Sequence, residues 1–445
     1  MIEYVQPIPS KCDVLIIGGG PAGSSTATLL AKQGVDVVLL EKARFPRNQV
    51  GESLIPHFWK FADLTGVSEK IEKQGFVTKA GGITVWDGVI HQISFAQFGY
   101  DRPALHVERD AFDELLLDHA AELGASVFQE ISVKAINFSS EGGPQAAYYD
   151  KRQNSSQVEG EIACQYVVDA SGHSSLLANQ FKSRQLISSK LKFLSLWGYF
   201  KNSRYIGLDA QSHSAESLPH IKPVTFVTSC EDGWLWHIIL RDKTSVGLII
   251  HTDRTRGMDK SARERFFLET CSNMPYLKNL LEPASYIEDS LQFRPDYSYY
   301  STNPCGENYY CIGDAAAFVD PIFSHGVQSA FYNAAVAAVA IKASLDEKKY
   351  RKRYSQICES RMQQFYGFAR AMALGDFGGD GVKPELVKNL MKGMPLLELE
   401  LMLAASEITN RSGNFRKLAK EAGVLGAFAE GSTHKKAKRL GALEL

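Results

Sequence analysis

The first fifty residues follow a strand, helix and strand pattern of apolar and polar positions. The apolar run at 14–17 predicts a buried strand, and the glycine-rich turn at 18–23 opens an apolar helical pattern. A second apolar run at 35–40 predicts another buried strand, which ends at Glu41. Together they predict a β–α–β unit of the dinucleotide-binding kind.

The glycine turn has the residue types that a dinucleotide site requires. Gly18 allows the tight turn, Gly20 lets the backbone approach a pyrophosphate, and Gly23 lets helix and strand pack closely. The helix that follows stabilises phosphate charge at its N-terminus. The predicted cofactor-binding residues of this unit are Gly18, Gly20, Pro21, Ala22, Gly23, Glu41 and Lys42, with Glu41 accepting hydrogen bonds from the adenosine ribose.

The apolar pattern changes repeatedly further along the chain. An amphipathic helix is predicted at 109–123, and buried strands are predicted at 166–170 and 309–312, the latter leading into a helix at 327–345. Short alternating segments predict a half-buried antiparallel sheet; they lie at 193–200, 225–228, 234–240 and 245–251. Beyond Glu347 the pattern is helical to about 421 and includes a packed helix at 395–408.

These elements predict an α/β fold. A Rossmann-like βαβ dinucleotide-binding domain carries an inserted antiparallel-sheet substrate domain and is followed by a helical C-terminal region. We expect the dinucleotide-binding domain at 1–190 with 300–345, the substrate domain at 75–105 and 190–300, and the helical region at 346–445.

Composition and charge narrow the classes of partner. The 445 residues are 44% hydrophobic and 22% charged, and Lys+Arg 49 against Asp+Glu 50 gives no overall attraction to nucleic acid or membrane. The N-terminal residues lack a signal-peptide pattern, and seven scattered cysteines suggest neither zinc nor a disulfide framework. We therefore expect a cytoplasmic protein without a metal site.

Three separated segments indicate FAD rather than NAD, so we expect the domain at 1–190 with 300–345 to be an FAD-binding domain. Gly51, Glu52 and Ser53 follow the second strand, Arg109 opens the amphipathic helix, and Asp314 follows a late strand, where its carboxylate can bind ribityl hydroxyls. A long extended cofactor needs such contacts from distant segments. This layout resembles the p-hydroxybenzoate hydroxylase-like flavoenzymes over residues 11–345.

Four motifs resemble the phenol- and pyrrole-type flavin-dependent halogenases within that superfamily. They are the Gly51-Glu52-Ser53 loop, Lys79 in T-K-A-G-G, the stretch G-W-L-W-H-I-I from 233, and F-V-D-P-I-F-S-H-G from 318. The third motif departs from the family pattern at Ile239, where the family has proline.

The resemblance implies a chemistry and a role for each motif. Flavin hydroperoxide, formed from FADH₂ and O₂, oxidises chloride or bromide held at Ser324, His325 and Gly326 to hypohalous acid. Trp234 and Trp236 separate the flavin from the substrate, and Lys79 acts as the catalytic residue, through a hydrogen bond to hypohalous acid or as a chloramine. Phe323 stands where tryptophan halogenases carry a glutamate, which suits an electron-rich phenol or pyrrole.

The partners implied are a separate flavin reductase and an aromatic substrate, either free or tethered to a carrier protein in natural-product biosynthesis. Eight Lys/Arg against two Glu at 411–440 would suit either an acidic carrier or a solvated, partly disordered end. An FAD-dependent aromatic hydroxylase and an isoprenoid-type flavin reductase remain as alternatives. The sequence leaves open the arene, the regiochemistry, the halide, the number of halogenations and the oligomeric state.

Overall fold

The computed structural model of the chain describes residues 7–138, 143–152, 158–187, 192–374, 388, 391–392, 399 and 412–424. Within them the strands are β1 (Lys11–Ile17), β2 (Val37–Glu41), β3 (Val77–Lys79), β4 (Gly81–Trp86), β5 (Val89–Ser94), β6 (Ala104–His106), β7 (Ser126–Gln129), β8 (Ile131–Asn137), β9 (Gln145–Asp150), β10 (Val158–Asp169), β11 (Arg184–Leu186), β12 (Phe193–Lys201), β13 (Tyr205–Ile206), β14 (Ser212–His213), β15 (Val224–Cys230), β16 (Gly233–Ile239), β17 (Thr244–His251), β18 (Ser285–Tyr286), β19 (Gln292–Pro295), β20 (Tyr299–Ser301), β21 (Tyr309–Cys311) and β22 (Ala317–Phe318). The α-helices are α1 (Pro21–Ala31), α2 (Trp59–Thr65), α3 (Ser68–Lys73), α4 (Arg109–Glu122), α5 (Leu176–Gln180), α6 (Lys260–Asn273), α7 (Pro275–Leu281), α8 (Gly326–Asp346), α9 (Arg351–Leu374) and α10 (Ser412–Glu421).

The first sheet is built around β1, in which five of the seven residues are buried, as is usual for a central strand of a parallel sheet. Its strand order is β7-β2-β1-β10-β9-β8, and β21 pairs with the end of β10. The pairs β7·β2, β2·β1, β1·β10 and β10·β21 are parallel. The carboxyl ends of these parallel strands therefore meet at one edge, where open α/β sheets bind ligands.

The second sheet forms a wall opposite that edge. Its order is β18-β12-β17-β16-β15-β4-β5, and β19 pairs with β12. Side chains alternate between its two faces, so Leu194 and Phe226 contribute to a buried apolar cluster together with Phe267 and Leu277 of helices α6 and α7. The opposite face remains available for the site.

The predicted fold class is confirmed, with local differences. β10 begins at Val158, eight residues before the predicted strand, because its first half pairs with β9 and is only partly buried, so its apolar pattern is weak. The second sheet is mostly antiparallel, but β15 pairs with β4 in parallel. Lys79 comes just before β4, and it is itself the last residue of the short strand β3, which pairs with β6.

The expected domain boundaries stay a prediction. The helix expected at 395–408 lies outside the described residues apart from Leu399, and of the basic segment at 411–440 only 412–424 are described.

Candidate active site

The turn between β1 and α1 can be built only with glycine at two positions. Gly18 has φ +102°, and a Cβ there would come within 2.4 Å of the carbonyl oxygen of Ala170. A Cβ on Gly23 would come within 1.9 Å of the carbonyl oxygen of Gly18. Both approaches are shorter than any real contact, so the turn and the packing of α1 require these glycines.

Gly20 has a different environment. A Cβ there would meet the Arg47 guanidinium at 3.3 Å, with no other heavy atom within 4 Å outside its chain neighbours and its own helix. Gly20 also lines a cavity, so a longer side chain would project into it. This open cradle at the start of α1 fits a pyrophosphate group.

Glu41 is held at the end of β2 by two backbone amides. Its carboxylate accepts hydrogen bonds from the Gly19 amide at 2.7 Å and the Ala43 amide at 2.8 Å. The next residue, Lys42, donates to the Ser174 hydroxyl at 3.0 Å. A carboxylate fixed in this position next to the glycine turn fits a ribose.

One cavity of about 540 Å³ connects the glycine turn to the second sheet. Its lining includes most of the predicted cofactor residues, namely Gly18, Gly20, Pro21, Ala22, Glu41, Lys42, Gly51, Glu52, Ser53, Arg109 and Asp314. It also includes Trp234, Trp236, Ser324 and Gly326, whereas Gly23, Lys79 and His325 lie behind this lining. The size falls in the range of small-molecule and cofactor sites.

Arg109 shapes the loop that carries Glu52 and Ser53. It is buried, and its guanidinium binds both oxygens of Asp113, at 2.7 and 2.9 Å. Its Nη1 donates to the carbonyl of Val50 at 2.6 Å, and a Cβ on Gly51 would lie only 2.8 Å from that nitrogen. The guanidinium thus holds the loop in place, and its expected contact with the cofactor stays a prediction.

Glu52 is a buried carboxyl group at the cavity wall. Burial raises its pKa to about 7, although the Tyr199 hydroxyl donates a hydrogen bond to it at 2.9 Å. Tyr199 lies on β12, so this bond joins the loop to the second sheet. Sequence patterns did not identify Tyr199.

Asp314 is another acidic residue that lines the cavity. Burial raises its pKa to about 6, and its Oδ2 lies 3.3 Å from Nε2 of His173. Burial also lowers the pKa of His173 to about 3, so the imidazole is neutral. Arg109 and Arg294 line the cavity as well, and they hold the pKa of Asp314 below the value that burial alone would give. Neither His173 nor Arg294 was predicted, since each lies far from the motifs in sequence.

The tryptophan pair is on the cavity face of β16. The ring centroids of Trp234 and Trp236 are 5.9 Å apart, and both side chains are buried. The Trp236 indole donates to the Ser245 hydroxyl at 3.1 Å and lies over Gly247, where a Cβ would come within 2.1 Å of the ring. The pair therefore forms a fixed aromatic wall.

Lys79 is buried next to the cavity. Its side chain is 2% exposed, so it is not a solvated loop lysine. Its Nζ donates to the Ser53 hydroxyl at 2.7 Å and lies 5.2 Å from the centroid of the Phe95 ring. Burial lowers the pKa of Lys79 to about 7, so the neutral amine and the ammonium are about equally populated near neutral pH.

Ser53 connects Lys79 to a series of hydrogen-bonded side chains, which we call the hydroxyl network. The network consists of three hydroxyl residues, a lysine and a histidine, namely Ser53, Ser324, Thr225, Lys79 and His106. Ser53 Oγ lies 2.8 Å from Ser324 Oγ and 2.9 Å from Thr225 Oγ1. Thr225 Oγ1 lies 2.9 Å from Nε2 of His106. Thr225 and His106 were not predicted from the sequence.

The predicted halide residues lie at the start of α8. Gly326 is the first residue of this helix and His325 its N-cap, while Ser324 has φ +59° and lines the cavity. Burial lowers the pKa of His325 to about 4, so its ring is neutral. Backbone N–H groups at the start of a 21-residue helix suit an anion. The Phe323 side chain lies outside the described part of the structure.

The described residues lack metal-binding clusters and membrane-spanning helices. They contain no group of three or more His, Cys, Asp or Glu arranged to hold a metal ion. None of the described helices is long and apolar enough to cross a membrane.

The chain is similar to several known proteins. The FAD binding domain family matches residues 11–369. Tryptophan 2-halogenase of Chondromyces crocatus is 35% identical, and the match covers 76% of this chain and 62% of the relative's own length. Flavin-dependent halogenase armH3 of Armillaria mellea is 32% identical over 76% of this chain and 68% of its own length. The chain thus spans 62% to 68% of these two relatives.

Solved structures show the same architecture. The myxobacterial chondrochloren halogenase CndH superposes with a TM-score of 0.74 and 27% identity, over 94% of this chain and 98% of that chain. The flavin-dependent brominase Bmp2 superposes with a TM-score of 0.73 and 25% identity, over 92% and 98%.

Proposed function

Since this chain belongs to the flavin-dependent halogenases and carries an FAD binding domain, we propose that it halogenates an electron-rich aromatic compound. The observation that supports this most is the environment of Lys79. A buried amine with a pKa near 7, hydrogen-bonded to a wall residue of the cavity, is suited to transfer chemistry at neutral pH. A solvated lysine would be protonated and unable to act as a nucleophile.

The cavity residues would hold FAD in an extended form. Gly18, Gly20 and the start of α1 would bind the pyrophosphate, Glu41 the adenosine ribose, and Asp314 the ribityl chain. Bound FAD, reduced by a separate flavin reductase, would supply with O₂ the oxidising power that converts chloride or bromide to hypohalous acid. We propose that the amides of His325 and Gly326, with the Ser324 hydroxyl, hold the halide.

Lys79 would receive the halogen behind the cavity wall. In the covalent version, the lone pair of the neutral amine attacks the halogen of hypohalous acid. An N–halogen bond forms, the halogen–oxygen bond breaks, and a proton from the amine joins the departing hydroxide to give water. In the other version, Lys79 donates a hydrogen bond to hypohalous acid and directs it toward the ring. Trp234 and Trp236 would keep the arene away from the flavin in both.

We propose the substrate class from the residue at position 323 rather than from the substrate of any one relative. Phe323, at the place of the tryptophan halogenases' glutamate, favours an activated phenol or pyrrole, free or carrier-bound. One relative is named a tryptophan 2-halogenase, so an indole is a second candidate. A cytoplasmic location and a role in natural-product biosynthesis stay predictions.

A product assay tests the proposal. The protein is incubated with a flavin reductase, NADH, FAD, O₂ and bromide, against phenols, indoles, pyrroles and carrier-bound pyrrolyl or tyrosyl thioesters. Mass spectrometry should find the bromine isotope doublet on one substrate class, and omission of bromide should abolish it. Hydroxylated product without bromine would indicate the hydroxylase alternative. Reduction of an isoprenoid double bond without O₂ would indicate the reductase.

A further inference from the structure

The hydroxyl network ends at a buried histidine whose protonation can be assigned from geometry. His106 lies on β6 and is fully buried. Its Nδ1 is 3.0 Å from the carbonyl oxygen of Ile239, at the end of β16. A carbonyl oxygen can only accept a hydrogen bond, so Nδ1 carries the hydrogen.

The other ring nitrogen of His106 is then an acceptor. Burial lowers the pKa of His106 well below its usual value, and nearby Lys79 and His237 lower it further, so the ring is neutral. A neutral imidazole with a hydrogen on Nδ1 has a lone pair on Nε2. The Thr225 hydroxyl, 2.9 Å away, must therefore donate to it.

The donor in this hydrogen bond determines the donors in the rest of the network, because a hydroxyl has only one hydrogen to donate. Thr225 uses its hydrogen on His106, so Thr225 Oγ1 accepts from Ser53. Ser53 uses its hydrogen on Thr225, so Ser53 Oγ accepts from both Ser324 and Lys79. Every donor and acceptor in the series then has one assignment.

We propose that His106 is a positioning residue that sets the direction of the hydroxyl network and so keeps the amine lone pair of Lys79 free of hydrogen bonds from Ser53. With Ser53 committed to Thr225, its oxygen can only accept from Lys79. The inference rests on the proposed function in one respect, namely that the lone pair is used to take up halogen.

The opposite direction would have a different consequence. A hydrogen on Nε2 of His106 would turn Thr225 into a donor toward Ser53, and Ser53 would then donate to Lys79 or to Ser324. A hydrogen bond donated to the amine lone pair would weaken it as a nucleophile. His106 lies behind Thr225 and would exert this control without touching the substrate.

The first test measures the tautomer directly. Long-range ¹H–¹⁵N correlation spectra of the FAD-loaded protein distinguish the two neutral tautomers from the imidazolium, and the His106 signals are identified by their loss in His106→Asn. We expect a neutral ring with the hydrogen on Nδ1. An Nε2-protonated or charged ring would overturn the proposal, whatever the enzyme's activity.

The second test uses a matched pair of variants. Thr225→Val removes the acceptor for Ser53, which can then turn toward Lys79, while Thr225→Ser keeps the hydroxyl. The pKa of Lys79 is measured from its ¹³Cε signal in lysine-labelled, FAD-loaded protein, with Lys79→Met identifying the signal. In Thr225→Val we expect a pKa lower by roughly 0.5 to 1, the scale of one net hydrogen bond. An unchanged pKa would contradict the proposal.

A kinetic measurement distinguishes a role of Thr225 in the hydrogen-bond network from a role in packing alone. Thr225→Val should lower kcat for halogenation by roughly three- to tenfold with little change in KM, and Thr225→Ser should restore it. A loss of kcat of equal size in both variants would indicate a packing defect and reject the inference. If no substrate is halogenated at all, the proposed function fails, while the tautomer and the Lys79 pKa still decide the inference about His106.

Discussion

Lys79 is the residue on which the proposed chemistry depends most. Lys79→Ala should leave FAD binding and O₂ consumption near wild type, since Lys79 lies behind the cavity lining. Halogenation should fall by roughly two to four orders of magnitude, as is typical when a positioned acid–base group is lost. Lys73→Ala is the matched control, because that side chain is 78% exposed. Product formation near the wild-type rate in Lys79→Ala would assign Lys79 a structural role only.

The same residue predicts a pH profile. Burial lowers the pKa of Lys79 to about 7, so the amine has no free lone pair below that pH and gains one above it. Under single-turnover conditions, halogenation by the covalent route should rise through about pH 7 and then level off. Glu52, Asp320 and Asp314 also titrate at about 6 to 7, so O₂ consumption is measured in parallel. A rise in both quantities together would assign the titration to the carboxyl groups.

Gly20 provides a residue-scale test of cofactor binding. Gly20→Val places a branched side chain in the space next to Arg47, where we propose that the pyrophosphate binds. FAD absorbance after gel filtration should be lost, and circular dichroism should show the fold retained. Wild-type FAD affinity in this variant would remove the glycine turn from the binding site.

At the scale of elements, β16 contributes the aromatic wall. Replacing Trp234 and Trp236 by alanine should let the arene reach the flavin, and hydroxylated product or free peroxide should appear in mass spectra and peroxide assays. The paired phenylalanine variant keeps aromatic bulk and should show less of both. Loss of folding in the alanine variant and normal coupling in the phenylalanine variant would instead indicate packing as the main role of the pair.

The elements also show what the sequence can predict. The β1–α1–β2 unit was predicted because its turn, buried runs and Glu41 all lie within about thirty residues and follow local rules. His106, Thr225 and His173 were missed, because each becomes significant only when distant strands meet. Lys79 was found through resemblance, but its partner Ser53 was assigned to the cofactor, since no local pattern indicates that β3 lies against the 51–53 loop.

At the scale of the whole molecule, the cavity lies between two sheets and is lined by residues from 17 to 330. FAD bound in this cavity would contact segments from both sheets at once, and so would bind the folded state only. At a hundred times its Kd, a ligand specific for the folded state adds roughly 2.7 kcal/mol to the free energy of unfolding. We therefore expect FAD to raise Tm by several degrees, and FMN or NAD to have a much smaller effect. Equal shifts with all three would contradict a dedicated FAD site.

The parallel pairing of β15 with β4 has a consequence for protein engineering. Val224 is paired with Gly81, and the Ala80 amide donates to the carbonyl of Pro223 at 2.8 Å. The backbone that carries Lys79 is thus fixed to the strand that carries Thr225. β12 lies three strands away from β15, so changes to Ser195 and Trp197, which line the cavity from β12, would leave that attachment undisturbed. Changes to the length of the 79–81 connection, in contrast, would be expected to remove the lysine from its partners even in well-folded proteins.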